Sequence, residues 1–393
     1  MVTYNIHTGV GTDGIYDLHR IAEHVAVARP DVVCLQEVEH NLAAQVTRPW
    51  SVVHATNQAE VIGEAAGLPY LAFGDAWHIR EARYGVAICS RHPIVATREC
   101  RYSTYNAGEP RMALAACLQL PYGRFVWAVN THMSHLSEFN WGWCQYYQAQ
   151  ELMQFVEDEL RDALIDLPSA VAPHAAISAV TDDEDQDDQD GQAAGPSESS
   201  SQSQSHRKGK NKNQISPLDP TGTPQRARVR HVVLCGDFNS WAWARWQGVA
   251  PLLRPNRISG GAYTDVYALL RRDDPYGRVR EHEHCCCGGL GCCVGVLTML
   301  FGFSCCCCCG GSYRYGSTNP ADRPCMRIDL VLLPPDSGLV PVAVHVLGLR
   351  TNQPIPPAPG LLPDHEEDDP PHANRNVFPS DHLAVVAKFH FQE

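Results

Sequence analysis

The residues of this chain that could do chemistry lie in six short polar motifs, each next to an apolar, strand-like run: TYNIHTG, CLQEVEH, NTHMSH, CGDFNS, MRIDLVLL and PSDHL. A carboxylate or imidazole at a strand end is fixed by the core behind it and open to a cleft in front. Taken alone, any one of the carboxylates is better explained as a turn residue or a helix cap. Together the motifs supply at least four carboxylates, two histidines and two asparagines on separate strands. That set fits a hard divalent cation with oxygen ligands, a polarised water and a phosphate substrate.

The segments around these motifs predict the elements that position them. VTYNI and DVVCLQ, which ends at Glu37, are typical of strands, and residues 18–28 between them have apolar side chains at helical spacing up to Pro30. A second helix is predicted at 58–67 and a long one at 143–167. Further strands are predicted at YGVAICS, RMALAACLQL, RFVWAVNTH, RHVVLCGDFN and HLAVVAKFHF. This order of elements predicts an α/β protein built on sheets rather than a helical bundle.

Composition places the chain among globular proteins. Its 393 residues, 44% of them hydrophobic, allow one large domain or two smaller ones. The formal net charge is −13, of which residues 169–228 and 350–376 carry −3 each, so −7 remains for the rest. A mildly acidic core lacks the broad basic surface of non-specific DNA-binding proteins.

The 17 cysteines do not form the pattern of a disulfide framework. Ten of them lie between Cys285 and Cys309, and several others lie inside apolar runs. Runs of adjacent cysteines cannot link distant parts of a fold. We find no signal-peptide pattern before the first strand-like run, although Met1 directly precedes that run and leaves open whether residues come before it. We therefore expect a reducing, intracellular location in the cytoplasm, with nuclear or membrane-associated locations left open.

Three stretches interrupt a single predicted domain that covers residues 1–393. Successive low-complexity blocks at 169–228 predict a disordered insertion, for which a solvated tether is favoured over a nucleic-acid contact or a nuclear address. Residues 350–376 predict a flexible loop rich in proline and acidic residues.

The third stretch, 285–312, is rich in cysteine and glycine and has no charged residue. Its length would suit a membrane span. A single crossing, however, would put Glu37 and Asp381 on opposite sides of a bilayer. Three interpretations remain, in order of preference: an irregular loop, a lipid-dipping or acylated loop, and a metal cluster. The metal cluster ranks last because zinc sites need spaced ligand pairs.

In their order along the chain, the motifs resemble those of the endonuclease/exonuclease/phosphatase superfamily. The combination of QE, GDFN, RID and SDH carries the resemblance, together with YGVAICSRHPI and EPRMALAA, over residues 2–391 outside the three inserted stretches. The resemblance implies a four-layer α/β/β/α sandwich of two packed, mostly antiparallel sheets flanked by helices. It also implies Mg²⁺-dependent hydrolysis of phosphoesters, with Mn²⁺ as an alternative metal.

The resemblance also implies roles for individual residues, beginning with the metal and the water. Glu37 is expected to be the main metal-binding carboxylate, assisted by Asn5, with Asp381 as a metal or second-site ligand. Asp237 is expected to orient or deprotonate the attacking water. Asn239 is expected to hydrogen-bond the phosphate.

Five further residues are implied to act around the phosphate. Asp329 would hold His382 and fix its tautomer. His382 and His132 would contact the phosphoryl oxygens, where charge builds up in the transition state. Tyr84 and Arg111 would also contact the phosphate, although a surface arginine at a strand start explains Arg111 equally well.

From these observations we expect a Mg²⁺-dependent hydrolase of phosphodiesters or phosphomonoesters that uses in-line attack by an activated water. One alternative is a sphingomyelinase- or phosphoinositide-directed lipid phosphoesterase, with peripheral membrane contact through residues 285–312. Another, of a different class, is a non-catalytic binding module on the same fold. The expected partner is a phosphoester substrate, whether nucleic acid, inositol phosphate or phospholipid, and we infer no obligate protein partner.

Overall fold

The computed structural model describes residues 1–41, 57–79, 82–103, 109–135, 142–167, 177–178, 226–240, 248–271, 328–347 and 378–392. The strands in these ranges are β1 (Val2–Asn5), β2 (Val32–His40), β3 (Tyr70–Ile79), β4 (Ala82–Ser90), β5 (Ile94–Arg101), β6 (Met112–Leu120), β7 (Arg124–His132), β8 (Ala163–Asp166), β9 (Ile177–Ser178), β10 (Arg226–Val229), β11 (His231–Asp237), β12 (Thr264–Asp265), β13 (Asp329–Leu333), β14 (Leu339–Val346) and β15 (Val385–Phe391). The α-helices are α1 (Leu18–Ala26), α2 (Gln58–Ala65), α3 (Trp143–Phe155), α4 (Ala250–Leu253) and α5 (Val266–Arg271).

The strands form two mixed, mostly antiparallel sheets. The first has the order β14-β15-β1-β2-β4-β3-β9 and the second the order β12-β13-β11-β7-β6-β5, while β8 and β10 form a separate two-stranded pair. Near its middle each sheet contains one parallel pair, β1 with β2 and β7 with β11. Because parallel strands end at the same edge, the polar motifs that follow these strands are brought together.

The two sheets pack face to face and carry helices on their outer faces. Ile21 of α1 and Ile62 of α2 belong to the core on the outside of the first sheet. Ile88 and Leu114 belong to the core between the sheets. Leu152 of α3 and its neighbours cover the outside of the second sheet. The predicted four-layer α/β/β/α sandwich is therefore confirmed.

Helix α1 shows how local sequence sets an element. Asp17 caps its first turn, since one carboxylate oxygen accepts hydrogen bonds from the backbone N–H groups of His19 and Arg20 at 2.9 and 3.1 Å. Its apolar side chains face the first sheet, as the helical spacing predicts. The chain leaves the helix at Val27, three residues before Pro30.

One predicted helix differs from the structure in its second half. The long helix predicted at 143–167 ends at Phe155, continues as one π-helical turn over Val156–Leu160, and gives way to strand β8. Asp162 has φ of 54°, and β8 pairs with β10, which lies about sixty residues further along the chain. The prediction fails because that long-range pairing, rather than local spacing, decides the conformation after Leu160.

The inserted stretches lie largely beyond the part of the chain that the structure describes. Residues 285–312 and 350–376 are outside it entirely. Of residues 169–228, the structure describes 177–178 in β9 and 226–228 in β10. Of the helices it describes, none combines the length and the apolar character that crossing a bilayer requires.

Candidate active site

Glu37 lies in a β-bulge of β2 rather than at the strand end that the sequence predicts. The register between β2 and β4 shifts between Gln36 and Val38, and Glu37 has φ of 56°. A bulge turns one side chain out of the regular alternation. It therefore aims the Glu37 carboxylate, whose side chain is 20% exposed, at the edge where the polar motifs meet.

Asn5 joins the two sheets at this edge. Its Nδ2 atom donates one hydrogen bond to Glu37 Oε1 and another to Asp237 Oδ2, each at 3.0 Å. Glu37 belongs to the first sheet and Asp237 to the second, so one buried amide holds carboxylates from both.

Asp237 ends β11 and is 1% exposed. Burial and the neighbouring Asp329 carboxylate raise the pKa of Asp237 to about 7, against the opposing effects of His382 and of hydrogen bonds from Asn5 and Asn239. A carboxylate with a pKa near neutrality can accept and release a proton under physiological conditions.

Asp329 and His382 form a buried pair next to Asp237. His382 Nδ1 lies 2.9 Å from Asp329 Oδ2, and His382 Nε2 lies 3.8 Å from Asp237 Oδ2. Burial disfavours the imidazolium, but the charges of the two carboxylates outweigh burial and raise the pKa of His382 well above its ordinary value. The pair therefore presents a cationic ring, held by a carboxylate, to the centre of the site.

His132 and Arg111 form the opposite wall. His132 Nε2 lies 3.6 Å from Asp237 Oδ2 and 3.9 Å from Glu37 Oε1. One terminal nitrogen of Arg111 lies 2.7 Å from the Nδ1 atom of His132, and the other lies 3.2 Å from Glu109. Arg111 is 6% exposed, so its interpretation as a surface arginine is wrong.

Tyr84 is buried on β4 and lies close enough to Arg111 to affect the pKa of its guanidinium group. Burial acts against the guanidinium cation, but Tyr84, Glu109, Glu37 and Asp237 together outweigh burial and raise the pKa of Arg111.

Asn239 and Asp381 lie at the margin of this cluster. The backbone N–H of Asn239 donates to Asp237 Oδ1 at 2.8 Å, while its side-chain amide donates to the backbone oxygen of Met133. The carboxylate of Asp381 is 39% exposed, and its Oδ1 atom lies 3.9 Å from His7 Nδ1. Asp381 thus faces the solvent side of the site.

The donor set suits a hard divalent cation. Glu37 and Asp237 offer carboxylate oxygens around a single amide, and oxygen ligands of this kind bind Mg²⁺. Asp237, Asp329 and His382 also offer ligand atoms within 4.8 Å of one another, but Asp329 and His382 already bond each other. Glu37, assisted by Asn5, is therefore the better candidate ligand.

Several residues around the site were missed from the sequence. Ser380 donates to the backbone oxygen of Asn5 at 2.7 Å and fastens the SDH motif to β1. Gln148 of α3 accepts from the backbone N–H of Ser134 and donates to its hydroxyl, which holds the chain just after His132. Such contacts join segments far apart in sequence, and no local spacing signals them.

The model of the Endonuclease/Exonuclease/phosphatase family matches residues 2–382, nearly the whole chain, and the chain belongs to this family. Members of the family are hydrolases that act on phosphoesters. Comparison with curated protein sequences gave no match.

Solved structures with the same fold have low sequence identity to this chain. An endonuclease/exonuclease/phosphatase family protein from Leptotrichia buccalis is 14% identical, with 99% of this chain and 98% of that chain covered and a TM-score of 0.50. An endonuclease/exonuclease/phosphatase from Beutenbergia cavernae is 17% identical, with coverage of 100% and 71% and a TM-score of 0.47. A mannosyl-6-phosphatase from Bacteroides thetaiotaomicron is 14% identical, with coverage of 99% and 98% and a TM-score of 0.48. At 14% identity the likeness to the Leptotrichia buccalis protein concerns the fold alone.

Proposed function

We propose that this chain hydrolyses phosphodiester or phosphomonoester bonds with the help of a divalent cation, Mg²⁺ or alternatively Mn²⁺, by in-line attack of water on phosphorus. The observation that carries the proposal is the meeting of Glu37, Asn5, Asp237, His132 and the Asp329–His382 pair at one edge of the two sheets. Family membership supports the reaction class.

In the proposed mechanism Asp237 is the general base. Its pKa of about 7 lets it take a proton from the attacking water near neutral pH. His382 stays charged beside it because Asp329 holds its other nitrogen, so the ring can donate to a phosphoryl oxygen. Asn239 lies on the same turn, and the amide hydrogen that it does not use on the backbone oxygen of Met133 would donate to the phosphate.

The opposite wall would bind the remaining phosphoryl oxygens. His132 and Arg111 are buried donors, and buried donors stabilise developing negative charge more strongly than exposed ones. Tyr84 would support Arg111 from β4. A divalent cation held by Glu37 and Asn5, with Asp381 on the solvent side, would polarise the phosphoryl group and offset its charge.

The test is hydrolysis of bis-p-nitrophenyl phosphate in the presence of Mg²⁺, with and without a chelator. We expect the chelator to abolish activity and Asp237→Asn to lower the rate about a hundredfold or more. Asp166→Asn is the matched control, because Asp166 is exposed and pairs with Arg226 on the separate two-stranded sheet. Activity that survives both the chelator and Asp237→Asn would overturn the mechanism.

The class of phosphoester that this chain hydrolyses can be determined by experiment. A panel of DNA, RNA, inositol phosphates and sphingomyelin, each with Mg²⁺, would identify it by the highest kcat/KM. The lipid-directed alternative depends on residues 285–312, which lie outside the described residues. Liposome co-sedimentation of the full chain and of a chain lacking 285–312 would test that alternative, and equal, negligible binding by both would remove it.

The non-catalytic alternative makes a different prediction. The Asp329 carboxylate raises the pKa of Asp237 although Asn5 and His382 oppose that effect, and a binding module without a cation or a substrate has no use for such repulsion. A binding module that uses the sandwich for protein contacts would show neither hydrolysis nor stabilisation by millimolar Mg²⁺.

A further inference from the structure

Two amide side chains meet between the sheets, directly below the candidate active site. Gln36 on β2 and Asn130 on β7 are both fully buried, and Gln36 Nε2 donates to Asn130 Oδ1 at 2.6 Å. The two residues belong to different sheets and are 94 positions apart in the sequence. The surrounding core between the sheets is largely apolar, which makes this contact a local exception.

Asn130 connects its sheet to two strands of the other sheet. Its Nδ2 atom donates to the backbone oxygen of Leu35 on β2 at 2.8 Å and to that of Ala87 on β4 at 2.9 Å. Gln36 Nε2 also approaches Thr3 Oγ1 on β1 at 3.0 Å. The Gln36–Asn130 pair thus links β7 of the second sheet to β1, β2 and β4 of the first.

The stability of the folded state does not by itself explain why two amide side chains are buried here. A buried polar group without a hydrogen bond destabilises the folded state, and Gln36 Oε1 has no hydrogen-bond partner within the described part of the chain. Apolar side chains of similar size at positions 36 and 130 together would avoid that penalty. Directional polar contacts, in contrast, fix one relative arrangement of the elements they join.

The pair lies one layer below the reacting groups. Gln36 immediately precedes Glu37 at the bulge, and Asn130 is two residues before His132 on the same face of β7. In the β7–β11 register, Asn130 pairs with Cys235 and His132 with Asp237. Any sliding of one sheet over the other at this level would therefore change the distances from Glu37 to His132 and Asp237.

We propose that Gln36 and Asn130 are positioning residues that fix the relative placement of the two sheets at the active-site edge, and so the distance between Glu37 on one sheet and His132 and Asp237 on the other. This inference rests on the proposed function, because its first readout is hydrolysis. Misplacement of reacting groups by about an ångström can lower a rate by about a hundredfold.

The experiment compares Gln36→Met and Asn130→Leu with the full-length wild type in kcat, KM and melting temperature. Val233→Ala is the control, because Val233 on β11 is buried in the same core between the sheets but makes no polar bridge. We expect both amide variants to lower kcat at least tenfold with KM within threefold, and Val233→Ala to keep kcat within twofold. We expect kcat of the double variant to be no lower than kcat of the more impaired single variant, because the two side chains act as one unit.

Unchanged kcat in both amide variants would overturn the inference, as would an equal loss in Val233→Ala at a similar melting temperature. A second readout does not need activity. The imidazole nitrogen shifts of His132, assigned by comparison with His132→Gln in protein labelled with ¹⁵N-histidine, should move in Gln36→Met and Asn130→Leu but not in Val233→Ala. Absence of activity in the wild type would contradict the proposed function. Unchanged imidazole nitrogen shifts of His132 in Gln36→Met and Asn130→Leu would instead contradict the positioning role.

Discussion

The contact between Asp329 and His382 leads to a prediction about a single side chain. Asp329→Asn keeps the shape of the side chain but removes the negative charge that favours the His382 imidazolium. Carboxylates that hold a histidine in this way typically contribute about 10- to 100-fold. We therefore expect kcat to fall by that factor with the fold unchanged, as measured by steady-state kinetics and circular dichroism. Asp336→Asn, the same change in an exposed turn, should leave kcat unaltered.

Glu37 leads to a second prediction, which concerns the metal. Mg²⁺ at about ten times its dissociation constant should stabilise the wild type by about 1.4 kcal/mol, because it binds the folded state only. Glu37→Gln retains the bulge but removes the charge, so we expect this stabilisation to be largely lost in thermal unfolding. Stabilisation of equal size in both proteins would exclude Glu37 as the main ligand.

The sequence predicts which residues are candidates for the site, but it does not predict the distances between their side chains. Motifs at strand ends identified Asp237, His132 and His382 as candidates, because polar side chains after apolar runs are recognisable locally. The contact of Arg111 with His132 depends on how β6 and β7 pair. For that reason the sequence could not distinguish a surface arginine from a buried one.

Among the elements, the close pairing of β11 with β7 beside the site depends on Gly236, the penultimate residue of β11. It has φ of 145°, and a Cβ atom there would collide with the backbone oxygen of Thr131 on β7. Gly236→Ala should therefore force β11 away from β7 and destabilise the protein by at least about 2 kcal/mol in urea unfolding. Gly123→Ala is the control, because Gly123 also has positive φ but no atom within 4 Å of the added Cβ. A smaller loss for Gly236→Ala than for Gly123→Ala would contradict this explanation.

Helix α1 gives a prediction about pH. His24 packs its ring at 5.6 Å from the ring of Tyr4, and burial lowers the pKa of His24 to about 4. Its stabilising contribution is complete above pH 6.5, the ordinary pKa, and is lost as the pH falls towards 4, because the unfolded state gains the proton first. Between pH 7 and pH 5 the wild type should lose about 2 kcal/mol more than His24→Phe, a difference measurable by urea unfolding at both pH values.

The sequence predicts those helices and strands whose conformation is decided by local periodicity. It does not predict those whose conformation depends on pairing with a distant strand. Apolar patterns in the sequence directly predict strands β1, β2 and β7 and helix α1. The bulge at Glu37 requires β4 as a partner, and β8 requires β10. The bridge between Gln36 and Asn130 depends on the packing of whole sheets, which no segment encodes by itself.

For the molecule as a whole, the prediction of a single domain with inserted stretches can be tested by deletion. Replacement of residues 182–222 by a glycine- and serine-rich linker of about 15 residues should leave the melting temperature within about 2 °C and kcat within about twofold, because such linkers are flexible and restrain little. The flanking strands β9 and β10 remain in this variant. A large loss of stability would show that the replaced segment packs on the core.

The position of β15 has a consequence for biosynthesis. This strand lies between β14 and β1, and the segment before it is fastened to the first residues of the chain by Ser380 on Asn5 and by Phe378 on Thr12. Until residues 378–391 have left the ribosome, β1 lacks its neighbour β15, and His382 is absent from the candidate site. Up to that point the nascent chain would lack a residue of the candidate site and would expose an unpaired strand edge, the kind of surface that pairs with other chains. Emergence of β15 both closes the first sheet beside β1 and brings His382 to the candidate site, so the site is assembled only when this strand edge has been covered.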